Sequence, residues 1–195
     1  MLSKVYHIDS TVLFSLALLS VLAVFALPAQ AQNRVDSLTE TNVADFIITT
    51  PHITTDNDGL DSSKIRDYLN RHIEDRARFK STLKYHIPGM PVQKTVISLS
   101  KAEFMTSVNE GAEKIDGYET IVEIDEIKID SGGKKAFVKT TNTEYAVMPV
   151  PTETGDIENV PMEGISNCNQ ILSLNGGIIQ MFSASCTTNV MFLDN

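Results

Sequence analysis

Residues 61 to 86 read DSSKIRDYLNRHIEDRARFKSTLKYH, and the fold turns on this stretch. Ile65, Tyr68, Leu69, His72, Ile73, Phe79 and Leu83 recur at three- and four-residue steps. That spacing gathers side chains on one side of a helix. Asp61 or Ser62 supplies an oxygen to cap the first turn. No Gly or Pro interrupts the pattern before Pro88-Gly89, which would stop a helix. The spacing predicts one long helix, with the strand-like sequence that follows packed against it as a sheet.

The chain has 195 residues, 42% of them hydrophobic, which suits a single domain with an ordinary core. A formal net charge of −9 argues against nucleic acid as a partner, since phosphate binding needs a basic surface. Between Lys64 and Lys84 the balance reverses, with seven Lys or Arg against three acids. A solvated outer face accounts for this; a face that docks an anion or a partner is the alternative. Lys4, the apolar run from Val12 to Leu27 and the small-x-small site Ala29-Gln30-Ala31 together predict an export signal over 1–31, cleaved after Ala31. The protein is then periplasmic or secreted and keeps no stable membrane span. An uncleaved anchor is the alternative, although the run is short for one. Residues 32–59 form a polar segment, and 60–195 a single domain.

Cys168 and Cys186 are the two cysteines. In an oxidising compartment such a pair forms a disulfide. Asn175-Gly176-Gly177 marks a hairpin turn. With Leu172 opposite Phe182 and Gln170 opposite Ala184, Cys168 falls opposite Cys186, on a face shared with Leu172, Leu174 and Phe182. A redox pair would more commonly show C-x-x-C spacing.

Other stretches fill in the order of elements. Val43 to Ile48 is a short apolar patch, either one or two helical turns or an edge strand. TTDNDG (54–59) reads as a loop; it lacks the glutamate an EF-hand needs. Thr95 to Leu99 is a strand, and Ser100 and Glu103 form a capping box. The helix they open carries Phe104, Met105, Val108 and Ala112 on one face and ends near Asp116-Gly117. Tyr118 to Asp130 is a strand whose alternation slips, which indicates a bulge. After a turn at Ser131-Gly132-Gly133, Lys135 to Met148 runs back, with Thr140 and Asn142 on the face of Ala136, Val138, Ala146 and Met148. Residues 149–164 read as a long acidic loop. A cysteine-bearing hairpin, Ile165–Leu174 and Ile178–Leu193, closes the chain. The expected class is α+β with an antiparallel sheet.

The stretches FKSTLKYH, TVISLSKAEFMTSV, YETIVEIDEIKID, KKAFVKTTNTEY, CNQILSL and IIQMFSASCTTNVMF, in this order over Leu60 to Leu193, resemble the NTF2-like superfamily. That cystatin-like α+β cone is shared by ketosteroid isomerase and SnoaL-like cyclases. The resemblance implies a curved sheet wrapped around a long N-terminal helix, a conical pocket and, in many members, a homodimer. The 149–164 stretch is longer than the hairpin usual there.

Enzymes of this fold place polar groups inside an apolar cone, where burial shifts their pKa. The pocket candidates are Tyr68 and His72, one turn apart, with Thr140, Asn142 and Gln170 on the strands. Each also has an ordinary reading as a core or cross-strand residue. There is no G-x-S-x-G nucleophile motif and no phosphate loop, and no strand reads as holding an isolated acid in an apolar setting. The expectation is a module without cofactor or metal, binding a small apolar ligand or a protein partner. The alternative is a small isomerase, dehydratase or cyclase-like enzyme.

Overall fold

A computed structural model of the protein describes residues 34–55, 62–87, 89–112, 116–151 and 156–193. The export signal, Asp61 and most of the 54–59 loop lie outside them. In order, the elements are α1 (Glu40–Thr55), α2 (Ser62–His72), β1 (Ile73–His86), β2 (Gln93–Ser100), α3 (Lys101–Ala112), β3 (Asp116–Ile129), β4 (Lys135–Pro151), β5 (Ile157–Asn175) and β6 (Ile178–Phe192). The six strands form one sheet in the order β2-β1-β6-β5-β4-β3. All neighbouring pairs are antiparallel except β1 and β6, which run parallel. This is an α+β architecture around a mixed sheet.

The long helix is not there. Residues 62–72 are helical, and Ile73 to His86 is a central strand. Along it Ala77, Phe79, Ser81, Leu83 and Tyr85 are buried, while Arg76, Arg78, Lys80 and His86 are exposed. That is a period of two. Phe79 and Leu83 satisfy a helical step as well, so the two largest apolar residues alone cannot separate the two readings. The helix ends without Gly or Pro because distant side chains take its last carbonyls. Lys101 Nζ donates to Asn70 O (3.0 Å) and Ile73 O (2.8 Å), and Gln180 Nε2 to Arg71 O (2.8 Å). The cations thought to decorate one helix are split between α2 and the outward face of β1.

The patch at Val43 to Ile48 belongs to a sixteen-residue helix, α1, which buries Val43, Phe46, Ile47 and Thr50. Its start is a reciprocal cap. Thr39 N donates to Asn42 Oδ1 (2.9 Å), and Asn42 N donates to Thr39 Oγ1 (3.2 Å). Thr54 and Thr55, expected in a loop, are its last residues.

The capping box at Ser100 is formed, with Ser100 N donating to Glu103 Oε2 (2.8 Å). Asp116-Gly117, expected to end α3, instead begins β3. The slipped alternation of β3 is a bulge between Ile124 and Glu126. The stretch 149–164 is no simple loop: Pro149 pairs with Asn159 and Pro151 with Ile157, extending the β4–β5 hairpin. Pro149 and Pro151 fall where pairing is two-stranded, since β3 reaches only Val147, and Pro161 lies just past the end of the β5–β6 register at Met162, its carbonyl accepting from Leu193 N (2.9 Å). A missing N–H there breaks no ladder.

Cys168 pairs with Cys186 in register, and the two form a disulfide. Gln170 faces Ala184 as expected, but Leu172 faces Met181 instead of Phe182. A bulge inserts Phe182, which is 42% exposed, while Met181 is fully buried. The bulge moves Phe182 off the apolar face.

α1 contacts β3, α2 contacts β6 and β1, and α3 contacts β1 and β2. Phe104 of α3 stacks on Phe79 with ring centroids 4.1 Å apart.

Candidate ligand-binding site

The sheet's buried face is apolar on β1 and β2 and turns polar across β4 and β5. Alternation on β4 sends Ala136, Val138, Thr140, Asn142, Glu144 and Ala146 inward, all buried. On β5 the corresponding residues are Leu172, Gln170, Cys168, Ser166, Gly164 and Met162. From Thr140 to Glu144 the row spans about 14 Å.

Part of this polarity is consumed inside the protein. Gln170 Nε2 donates to Thr140 Oγ1 (3.1 Å), and the Ser166 and Thr188 hydroxyls share a hydrogen bond (2.9 Å). Asn142 Nδ2 reaches only Cys168 Sγ, at 3.9 Å. Among the described residues, four oxygens along this row find no partner: Asn142 Oδ1, Glu144 Oε1, Gln170 Oε1 and Thr120 Oγ1. Thr120 lies directly opposite Glu144 on β3. Buried polar atoms are nearly always satisfied, so four on three adjacent strands form a concentration of unmet hydrogen-bonding capacity.

Glu144 is the residue that sequence reading missed. It sits in TNTEYAV, where polar neighbours disguise it as a surface residue. Counting by two from Val138 would have placed it inside. Burial raises its carboxyl to about 8, because the anion loses its hydration there. At neutral pH the group is mostly the neutral acid, with an O–H to donate. Gly164 stands opposite and offers no side chain against it.

Tyr68 and His72 do come together on α2. Their rings stack at 4.2 Å, with Phe46 at 5.8 Å from the imidazole. His72 Nδ1 lies 2.8 Å from Ile179 O. A carbonyl only accepts, so Nδ1 carries the proton and Nε2 is the acceptor. Burial lowers the His72 pKa to about 4, so the ring is neutral. Burial also pushes the Tyr68 phenol well above its usual value. Thr50 stands beside that phenol, outside hydrogen-bond geometry, and gives its own hydroxyl proton to Phe46 O.

His72 also faces a pocket of about 160 Å³ lined by Val35, Asn42, Asp45, Arg71, Gly177, Ile178 and Ile179. This pocket lies at the tip of the β5–β6 hairpin. Of the five pocket candidates only His72 borders it. Thr140, Asn142 and Gln170 belong to the polar row, and Tyr68 packs on His72.

No family model matches the sequence, and no curated protein matches it. Solved structures similar to this chain include proteins described as NTF2-like or as having a cystatin-like fold. A conserved protein from Planctomyces limnophilus is 17% identical, with a TM-score of 0.44 over 65% of this chain and 84% of that one. An NTF-2 like protein of unknown function from Silicibacter pomeroyi is 14% identical, with a TM-score of 0.35 over 63% and 78%. A putative scytalone dehydratase from Novosphingobium aromaticivorans is 9% identical, with a TM-score of 0.44 over 69% and 78%.

Proposed function

We propose that the polar row on the inner face of β3, β4 and β5 binds a small neutral molecule. The ligand has an apolar body and carries hydroxyl or carbonyl groups. The observation that carries this reading is the set of four buried oxygens without a partner on adjacent strands. Each such group costs stability, on the order of 1–3 kcal/mol. An ordinary core would replace them with apolar side chains. Protonated Glu144 would donate to a ligand acceptor, while Asn142 Oδ1 and Gln170 Oε1 would accept from its donors. A charged ligand is disfavoured because no opposite charge stands in the row. The apolar run Val12 to Leu27 and the Ala29-Gln30-Ala31 site support export, and the disulfide suits an oxidising compartment.

A second reading, proton-transfer catalysis of the isomerase or dehydratase kind, draws on Glu144 alone. A carboxyl titrating near 8 can act as acid or base near neutral pH.

The test is a thermal-shift panel of neutral phenols, cyclic ketones and lactams on the wild type, Asn142→Val and Glu144→Met. A panel member that stabilises the wild type in a saturable way, and neither variant, supports the binding site. Turnover of a bound ketone that disappears in Glu144→Gln would favour the enzyme. Loss of stability in Glu144→Met, with no panel member bound by the wild type, would show that the row is structural.

A further inference from the structure

The pocket at the hairpin tip is separate from the polar row, and its chemistry differs. We propose that it binds a small zwitterion of the α-amino-acid kind, with the carboxylate on Arg71 and the ammonium on Asp45. Both residues line the pocket, one from the end of α2 and the other from α1. Both are exposed, and neither forms an ion pair among the described residues. Two oppositely charged residues that line one small cavity without pairing among the described residues match a ligand carrying both charges.

Among the described residues, the remaining lining contributes no further charge. Asn42 is occupied, since its Oδ1 accepts from Thr39 N and its Nδ2 donates to Ser37 O (3.0 Å). His72 holds Ile179 O through Nδ1, as a neutral ring. Val35, Ile178 and Ile179 add an apolar wall suited to a short side chain. The site therefore sums to zero, and a simple anion or cation would meet one like charge for every opposite one. At about 160 Å³, it admits a small molecule only.

The pocket is also built in advance. Residues 34–39 run as a strap across two hairpin tips. Val35 N donates to Gly177 O (3.0 Å), Leu38 N to Gly133 O (2.8 Å) and Lys134 Nζ to Asp36 O (2.9 Å). Gly177 has a φ of 81°, and a β-carbon there would stand 2.9 Å from Arg34 Cβ. The strap thus forms one wall, and its fixed position lowers the ordering cost of binding.

Isothermal titration of the full chain tests the proposal, with L-alanine as the zwitterion and acetate and methylammonium as single-charge probes. L-alanine is expected to bind saturably, and each single-charge probe about tenfold or more weaker, since each lacks one charge-assisted contact. Arg71→Gln and Asp45→Asn each lose a similar factor for L-alanine. Both residues are exposed, so the variants keep the wild-type melting temperature. Glu144→Met leaves L-alanine binding unchanged, which separates this site from the polar row. Absence of saturable heat from L-alanine overturns the proposal. So does acetate binding as tightly as L-alanine, or affinity that survives both substitutions.

Discussion

The two ends of the sheet bury their inner faces in different ways. Over β1 and β2, the core is Phe79, Leu83, Ile97 and Leu99, with Phe104 and Val108 of α3 laid on top. Over β4 and β5, the same layer holds Thr140, Asn142, Glu144, Ser166 and Gln170. The first end carries apolar burial at about 25 cal/mol per Å². The second gives up much of that and leaves carboxyl and amide oxygens unpartnered. By that comparison the apolar end should contribute more to stability, and the polar end is where the proposed ligand would complete the hydrogen bonding.

Breaking the apolar end gives the largest effect. Phe79→Ala removes a fully buried ring together with its stack on Phe104. Truncations of this kind cost about 3–5 kcal/mol. Urea unfolding of the variant should show that loss. A cost below about 1 kcal/mol would mean that the stack does not anchor α3.

The disulfide sits between the two ends, joining β5 to β6. Cys168 and Cys186 are 18 residues apart in sequence, and the loop-closure account gives about 3 kcal/mol for a loop of this size. Paired Cys168→Ser and Cys186→Ala should lower stability by that order. Both residues are buried, so reductant should act only as the protein opens. Equal stability with and without the bond would remove it from the account of how the polar end is held.

At the polar end the sign should reverse. Glu144→Met replaces an unpartnered buried carboxyl with an apolar side chain of similar length, and the gain should be about 1–3 kcal/mol. The pH dependence sharpens the contrast. The folded carboxyl titrates near 8 and the unfolded one near 4.5, so the folded state holds the extra proton between those values. Its contribution is complete below about 4.5 and is lost as pH rises toward 8. His72 acts in the opposite direction. Its folded pKa of about 4 lies below the usual 6.5, so its contribution is present above 6.5 and is lost as pH falls toward 4. Between about 4.5 and 6.5 the two slopes oppose each other, so chemical denaturation of the wild type across pH 4–9 should show mainly the fall above 6.5. Glu144→Gln should remove that fall and uncover the His72 rise between about 4 and 6.5; an unchanged fall above 6.5 would mean that Glu144 is ionised in the fold.

These two ends were unequally legible in the sequence. Apart from the 149–164 stretch, strands β2 to β6 announced themselves by β-branched alternation and Gly-containing turns. The Cys168–Cys186 pairing was legible even though the expected register is one residue off next to the turn, because the bulge at Phe182 restores it from Ile171 onward. Residues 73–86 misled because Ala77 and Ser81 are too small to reveal a period of two between Phe79 and Leu83. The stop at His72 is written in Lys101 and Gln180, far away in sequence. α1 was underread because its cap uses Asn42 where the capping pattern expects Glu or Gln. At the candidate site, Tyr68, His72, Thr140, Asn142 and Gln170 all proved fully or partly buried. Glu144 was hidden by its polar neighbours. Facing residues can be read from alternation, but a missing hydrogen-bond partner appears only once the neighbouring strands are in place.

The smallest effect belongs to a local device at the apolar end. The Ser100 hydroxyl and amide both contact Glu103 Oε2, at 2.7 and 2.8 Å. Glu103 N reaches back to Ser100 Oγ at 3.4 Å. The box fixes where β2 ends and α3 begins, and so where Phe104 meets Phe79. Ser100→Ala should cost about 1 kcal/mol, the usual loss for such a cap. The Ser100 amide, and after it the Ser100 hydroxyl, hold the Glu103 pKa below its ordinary value, and the substitution removes the hydroxyl's share. That contribution is present above the usual glutamate range and disappears as pH falls through it. The penalty of Ser100→Ala should therefore shrink in acid, whereas the penalty of Phe79→Ala should not. If both shrink together, the α3 packing depends on the cap, and the apolar end is one cooperative unit from Ser100 to the Phe79–Phe104 stack.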